Sequence, residues 1–380
     1  MIETLPEGWR SVPFWSLFYR AKQIGFPEEE LLSVYREYGV IRKEDRDDNH
    51  NRAGDDLASY QLVEPGDLVL NKMKTWQGSL GISGYRGIVS PAYFVYKSRN
   101  SESSEFLHYA LRSRYYVTQY ASFSKGVRPS QWDLQPEYLS MMRVLLPPLS
   151  TQQSIVKYLA QEIGEIDAML AMLDDLNEAL NSRRASVVER ETIARSGSLT
   201  RLKFCADISL GKTFQGVRKS DHETSVNYVR AASIQPSCLE LDDQRMWMTR
   251  EEQRKYDLRK GDVLVVEGGA GFGRSAHLAQ DMPGWGFQNH VIRVRPDQHH
   301  DGRFLNYCVK GHYSSGLIGL LADGATIPGL SSDKAKNLPI PDMSLEEQQR
   351  IADHLDEVTG RIDAMLATID ELKALLVERR

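Results

Sequence analysis

Several stretches of the 380-residue chain hold residue types that could do chemistry. Ala206-Asp207-Ile208-Ser209-Leu210-Gly211-Lys212-Thr213 has the outline of a phosphate-binding loop, with Ala in place of the first Gly. Such a loop needs a buried strand before it and a long helix after it. Phe214-Gln215-Gly216-Val217-Arg218-Lys219 is poor helix material, so a turn is expected instead. The run from Gly268 to Gly273 follows Val263–Val266 as a cofactor-binding turn would, but position 274 is Arg and the GxGxxG spacing fails. No Asn-Pro-Pro-Tyr/Phe motif of an adenine methyltransferase occurs, and the nine histidines show no metal-ligand spacing. What remains are cations and amides on glycine-punctuated loops, such as Asn71-Lys72-Met73-Lys74-Thr75-Trp76-Gln77-Gly78. These are residue types that contact phosphates and base edges.

The elements that carry these loops are repeated. From 152 to 184 the chain matches itself at an offset of 196 residues, with 16 identities in 33 positions. Gln152-Gln153 recurs as Gln348-Gln349, Ile166-Asp167-Ala168-Met169-Leu170-Ala171 as Ile362-Asp363-Ala364-Met365-Leu366-Ala367, and Arg183-Arg184 as Arg379-Arg380. In the second copy Ile351, Leu355, Val358, Ile362, Met365, Ile369, Leu372 and Leu376 follow the 4-3 spacing of a coiled coil. The first copy keeps this register at Ile155, Leu159, Ile166, Met169, Leu173, Leu176 and Leu180, broken once at Glu162. The spacing predicts helices from about 152 to 187 and from 344 onward, capped by Ser150 or Thr151 and by Ser344, paired antiparallel. Their segments are acidic, with five basic and eight acidic residues in 151–195 and five and nine in 344–380. The net charge of −5 therefore leaves +2 for the rest of the chain, compatible with a polyanionic partner there.

The segments ahead of the helices repeat faintly. Pro65-Gly66-Asp67-Leu68-Val69-Leu70 aligns with Lys260-Gly261-Asp262-Val263-Leu264-Val265, and Leu107-His108-Tyr109-Ala110 with Leu305-Asn306-Tyr307-Cys308. Short strands and one helix each, near 103–119 and 301–319, are expected. The fold class that follows is α+β. Two mixed α/β domains, at 1–150 and 197–343, are separated by a pair of long antiparallel coiled-coil helices at 151–196 and 344–380, in a pseudo-two-fold internal repeat. No membrane span, signal peptide or cysteine framework is legible, so a cytoplasmic protein is expected.

This order of motifs resembles the specificity subunit of a type I restriction–modification system. The resemblance rests on Leu5-Pro6-Glu7-Gly8-Trp9, the two Gly-Asp strands, and Leu145-Leu146-Pro147-Pro148-Leu149-Ser150-Thr151-Gln152-Gln153 with Leu338-Pro339-Ile340-Pro341, each leading into a long helix. It implies two target recognition domains, each reading half of a bipartite, asymmetric double-stranded DNA target. It implies spacer helices that dock two modification (methyltransferase) subunits and, through the complex, restriction/translocase subunits. It further implies no catalytic activity in this chain. S-adenosylmethionine, ATP and Mg are expected on partner subunits, with no cofactor here. The other reading left open is a duplicated coiled-coil adaptor that binds no DNA.

On this resemblance the DNA-binding candidates take roles. In the first domain Lys72 and Lys74 suit phosphates, and Asn71 or Gln77 an adenine edge. Trp76 would stack on a base or wedge into a groove, or else sit in the core. In a second loop, Ser124 to Trp132, Lys125 supplies a cation and Arg128 could grip guanine. In the second domain the candidates are Arg274 behind its glycine run, Gln288 and Asn289. Arg36 and Arg230, at matched repeat positions, are either phosphate contacts or internal salt-bridge partners.

Overall fold

The computed structural model describes residues 5–45, 57–99, 101–125, 132–195, 197–236, 238–269, 271–322 and 329–380. They form two compact units, Met1–Glu165 and Ile166–Arg380.

The first unit is built on a four-stranded antiparallel sheet. Its spatial order is Phe18–Ala21, Tyr93–Ser98, Leu68–Asn71, Leu80–Ile82. The second unit holds a sheet of the same kind, in the order Ala206–Leu210, Val291–Pro296, Val263–Val266, Ser275–His277. In chain order both read first, fourth, second, third. The faint sequence repeat is thus a repeat of topology.

Both copies start their second strand from the same turn. Gly66 and Gly261 each hold φ +92°, a left-handed conformation that L side chains adopt only with strain. The Asp that follows folds its carboxylate back onto the turn: Asp67 accepts from the Glu64 backbone N–H at 2.9 Å, and Asp262 from that of Arg259 at 2.8 Å. Each Asp is buried and faces a cation from the fourth strand, Lys97 at 3.6 Å and Arg295 at 2.7 Å. Burial still pushes the Asp67 carboxyl above its ordinary value.

Each sheet is covered by helix. Ser104–Arg112 and Arg114–Phe123 break at Ser113, where one helix was expected. In the second unit Gly302–Ser314 is followed by the short Leu317–Leu321. Phe106, Leu107, Leu111, Tyr116 and Tyr120 fill the first core with Leu68, Leu70 and Leu80. Phe304, Leu305, Cys308 and Val309 fill the second with Val263, Val265 and Ile292. The outer strands of the two units differ. The first unit has two-stranded ribbons, Leu32–Tyr35 with Gly39–Arg42 and Gln61–Val63 with Gly87–Val89. The second has a three-stranded sheet in the order Arg245–Thr249, Glu223–Val229, Trp285–Phe287, the last pair parallel.

In each unit the first and last strands of the α/β part pair with one another. Arg10–Pro13 lies antiparallel to Arg143–Leu146, and Leu199–Arg201 to Pro339–Pro341. The chain then runs into a long helix, Leu149–Glu191 or Leu345–Arg379. At 1.5 Å per residue these are about 65 and about 52 Å long. Ser344 caps the second as expected, accepting from Glu347 N–H at 3.3 Å. Ser150 and Thr151 do not cap the first, which already begins at Leu149.

Within the second unit, the part of the first helix from Ile166 runs antiparallel to the second helix. Leu180, Ile362 and Ile369 form a buried cluster flanked by Leu173, Val358 and Leu366. Ion pairs join Arg184 to Asp363, Asp174 to Lys373 and Asp167 to Arg380. Four positions of the expected stripe stay outside this seam and exposed. Met365, Leu372, Met169 and Leu176 are 45–53% exposed. Spacing marks an apolar face but does not say what covers it.

Candidate nucleic-acid interface

The loop joining the second and third sheet strands is the same structural feature in both units, and its sequence differs. In the first unit it runs from Asn71 to Ser79 around a short 3-10 turn, Thr75–Gln77. Internal bonds fix its shape. Asn71 Oδ1 accepts from Met73 N–H at 3.1 Å, Thr75 Oγ1 donates to Asn71 C=O at 2.6 Å, and Trp76 Nε1 donates to Met73 C=O at 2.9 Å. Gly78 closes the turn at φ +95°. Trp76 is half-buried against Trp132, ring centroids 5.1 Å apart, so its indole belongs largely to the loop's own packing.

The cations of this loop divide into two kinds. Lys72 donates to Pro91 C=O and lies 4.9 Å from the Phe94 ring centroid; burial, then the nearby Arg20 charge, lowers its pKa. Lys74 and Gln77 are exposed, and neither side chain has a bonding partner among the described residues. Arg36 is exposed and lies against the loop at Gly78, while its carbonyl accepts from Arg112 at 2.7 Å. Arg20, also over the Phe94 ring at 4.3 Å, and Lys22 add charge beside Lys72. Sequence reasoning missed both; the only signal was the short basic stretch Tyr19-Arg20-Ala21-Lys22. Lys125 pairs through its backbone with Asp133. Arg128 lies outside the described residues.

In the second unit the loop runs from Glu267 to Arg274. Its glycines serve packing as well as openness. A Cβ on Gly273, at φ +79°, would stand 2.7 Å from the Tyr313 ring, whereas Gly269 faces open space. Arg274 is half-buried, its guanidinium 3.4 Å from Gln235 Oε1. Gln288 and Asn289 are half-buried and bonded through their backbones, Gln288 N–H to Val229 C=O and Asn289 N–H to Lys212 C=O, each at 2.9 Å. His290 stands 3.5 Å from Glu267 and closes this cluster onto the glycine loop. Arg230 spends its guanidinium on Asp242, at 2.9 and 2.5 Å, the salt-bridge arrangement of the two readings.

The phosphate-loop outline in 206–213 is a strand end. Ala206–Leu210 is an edge strand, and Lys212 pairs with Glu252. No α-helix follows before Arg250 among the described residues. Gly211 is required because a Cβ there would lie 2.3 Å from Gln288 C=O. Among the described residues no group of three His, Cys, Asp or Glu is placed to hold a metal, and no helix is long and apolar enough to cross a membrane.

Residues 212–374 match the family model described as the type I restriction modification DNA specificity domain. The chain is 21% identical over 401 residues to the StySPI specificity subunit of Salmonella potsdam, covering 95% of this chain and 84% of that protein. It is 21% identical over 335 residues to the MjaVIII specificity subunit of Methanocaldococcus jannaschii, covering 80% and 74%. Among solved structures it superposes on a chain from work on the assembly and conformational transition of the type I restriction–modification system, with TM-score 0.69, 17% identity and 98% and 95% coverage. It also superposes on the HsdS subunit from Thermoanaerobacter tengcongensis, with TM-score 0.58, 16% identity and 100% and 97% coverage. The chain shares the fold of these two solved structures, and residues 212–374 with the two relatives make it similar to the specificity subunits of type I restriction–modification systems.

Proposed function

We propose that this chain is the non-catalytic DNA reader of such a system. Each α/β domain recognises one half of a bipartite, asymmetric duplex target. The long helices space the two domains and dock two methyltransferase subunits, with restriction/translocase subunits joining through the complex. S-adenosylmethionine, ATP and Mg belong to those partners. The observation that carries this reading is one sheet topology used twice, with the same Gly-Asp turn, bearing a lysine-rich loop in one copy and a glycine-rich loop in the other. A shared frame with unlike loops suits two unlike half-sites.

In this reading Lys74, Arg36, Arg20 and Lys22 track phosphates, and Gln77 reads a base edge. Lys72, Asn71 and Trp76 shape the loop as well as facing the duplex. Arg274, Gln288 and Asn289 read the other half-site. Lys125 and Arg128 contribute from the second loop, and Arg230 sets the backbone beside Asp242. The face holding Met365 and Leu372 is where partner helices dock. The test is methylome sequencing of cells carrying this chain with its methyltransferase partner. A methylated motif of two unlike half-sites at fixed separation is expected. A contiguous motif, or methylation unchanged by deleting this chain, would overturn the reading.

A further inference from the structure

The Gln-Gln pair that anchors the sequence repeat has a structural role in each half. Gln152 and Gln348 are each 0% exposed, in the first turn of their long helices. Gln152 Oε1 accepts from the Ser103 backbone N–H at 3.0 Å. Its Nε2 donates to Pro147 C=O at 3.0 Å and to the Glu102 carboxylate at 2.6 Å. Gln348 repeats the arrangement: Oε1 accepts from Asp301 N–H at 3.0 Å, and Nε2 donates to Met343 C=O at 3.0 Å and His299 C=O at 3.4 Å.

The bonded residues define a joint. Ser103 and Asp301 are the N-caps of the sheet-covering helices Ser104–Arg112 and Gly302–Ser314. Pro147 and Met343 lie where the chain leaves the domain's last strand for the long helix. One amide therefore ties three parts together: the domain helix, the outgoing strand and the spacer helix. A buried amide with all its partners in place is costly to disturb, because each unmet group costs about 1–3 kcal/mol. An apolar side chain could fill the space but could not fix three directions at once.

Resting on the proposed function, we propose that Gln152 and Gln348 are positioning residues that set the angle of each recognition domain on its spacer helix, and so the half-site separation the chain accepts. The lever arithmetic shows why such a joint must be stiff. Slack of about 5° carried along about 60 Å of helix displaces the far end by about 5 Å. One base pair advances the duplex by about 3.4 Å and about a tenth of a turn. A loose joint would let the complex accept targets one base pair longer or shorter.

The experiment uses the assembled methyltransferase and duplexes whose half-sites are kept while the intervening length varies by single base pairs. Wild type should methylate one length. Q348M, close in shape but unable to make the three bonds, should lose about tenfold of its preference for that length over its neighbours, with half-site sequences unchanged. Q152M should do the same from the other joint. An equal loss of activity at every length, with the preference intact, would assign the glutamines to stability alone and overturn the proposal. Wild type accepting every length equally would instead defeat the bipartite reading. If neither variant assembles, hydrogen exchange on the wild-type full chain decides. The Ser103 and Asp301 amides should be protected like core sheet amides, and exchange at loop rates would overturn the proposal.

Discussion

The two sheets and the two loops they carry have diverged to different degrees. The sheets keep strand order, the Gly-Asp turn and the buried Asp–cation pair, although Lys97 in one copy is Arg295 in the other. The loops share their place and a left-handed glycine two residues before the third strand, Gly78 and Gly273. One is drawn tight by side-chain bonds to its own backbone and a pair of tryptophans; the other turns on glycines, of which Gly273 packs against Tyr313. The helices, with 16 identities in 33 positions, are held closer still. Between the two copies, the parts that bear the frame have changed little and the loops they carry have changed much. Substitutions in the frame should therefore cost stability, and substitutions in the loops should cost recognition.

The largest effect is expected in the helix seam. Ile369→Asp puts a carboxylate into the cluster of Leu180, Ile362 and Leu366 and should destabilise the second unit by several kcal/mol, about 3–5. Met365→Asp, on the exposed face four residues away, should leave the calorimetric Tm within about 1 °C and weaken assembly with the methyltransferase. Equal Tm losses would mean that the two faces are not distinct. Next come the turns. Asp262→Ala removes the acceptor of the Arg259 N–H and one of the two carboxylates that hold Arg295, leaving Asp257, at about 2 kcal/mol; Asp67→Ala, with Lys97 farther off and still paired with Glu64, should cost about half that. Chemical denaturation of the full chain measures both, and the reverse order would break the parallel between the frames.

The smallest effects on stability, near zero, are expected in the loops. Lys74→Ala should lower affinity for every duplex and reduce the salt slope by about one, as an exposed ammonium on phosphate requires. Arg274→Ala should cost about 1–3 kcal/mol at one position of one half-site and relax sequence choice there. Its planar fork, held by Gln235, is oriented in a way that Lys74 is not. Binding by the assembled methyltransferase to a duplex library at two salt concentrations separates the two. Unchanged affinity and sequence preference for both would remove these loops from the interface.

The helices were the most legible part, because a 3.5-residue spacing survives in the residues themselves. The Gly-Asp strands were legible as a repeat, and the structure adds the reason: a left-handed glycine with a carboxylate folded over it. The outer strands were not legible, since Arg36 and Arg230 hold matched positions yet the strands just before them, Leu32–Tyr35 and Glu223–Val229, enter different sheets. Trp76 and Arg230 carried two readings each, and only the positions of Trp132 and Asp242 show what each touches. Arg20 and Lys22 formed no motif. Gln152 and Gln348 stood out as identities, but their partners lie 49 and 47 residues upstream, beyond the reach of any local pattern.

The strand pairs at the base of each domain have an evolutionary consequence. Arg10–Pro13 beside Arg143–Leu146, and Leu199–Arg201 beside Pro339–Pro341, bring the two ends of each α/β segment into register at one narrow ribbon. A segment attached this way is a cassette. Two crossovers, one in each short strand, would exchange a whole α/β segment between genes and leave the long helices untouched. The helical repeats that flank the second segment keep 16 identities in 33 positions. On the proposed function, a lineage could then acquire a new target in one recombination event, without passing through intermediates that read nothing.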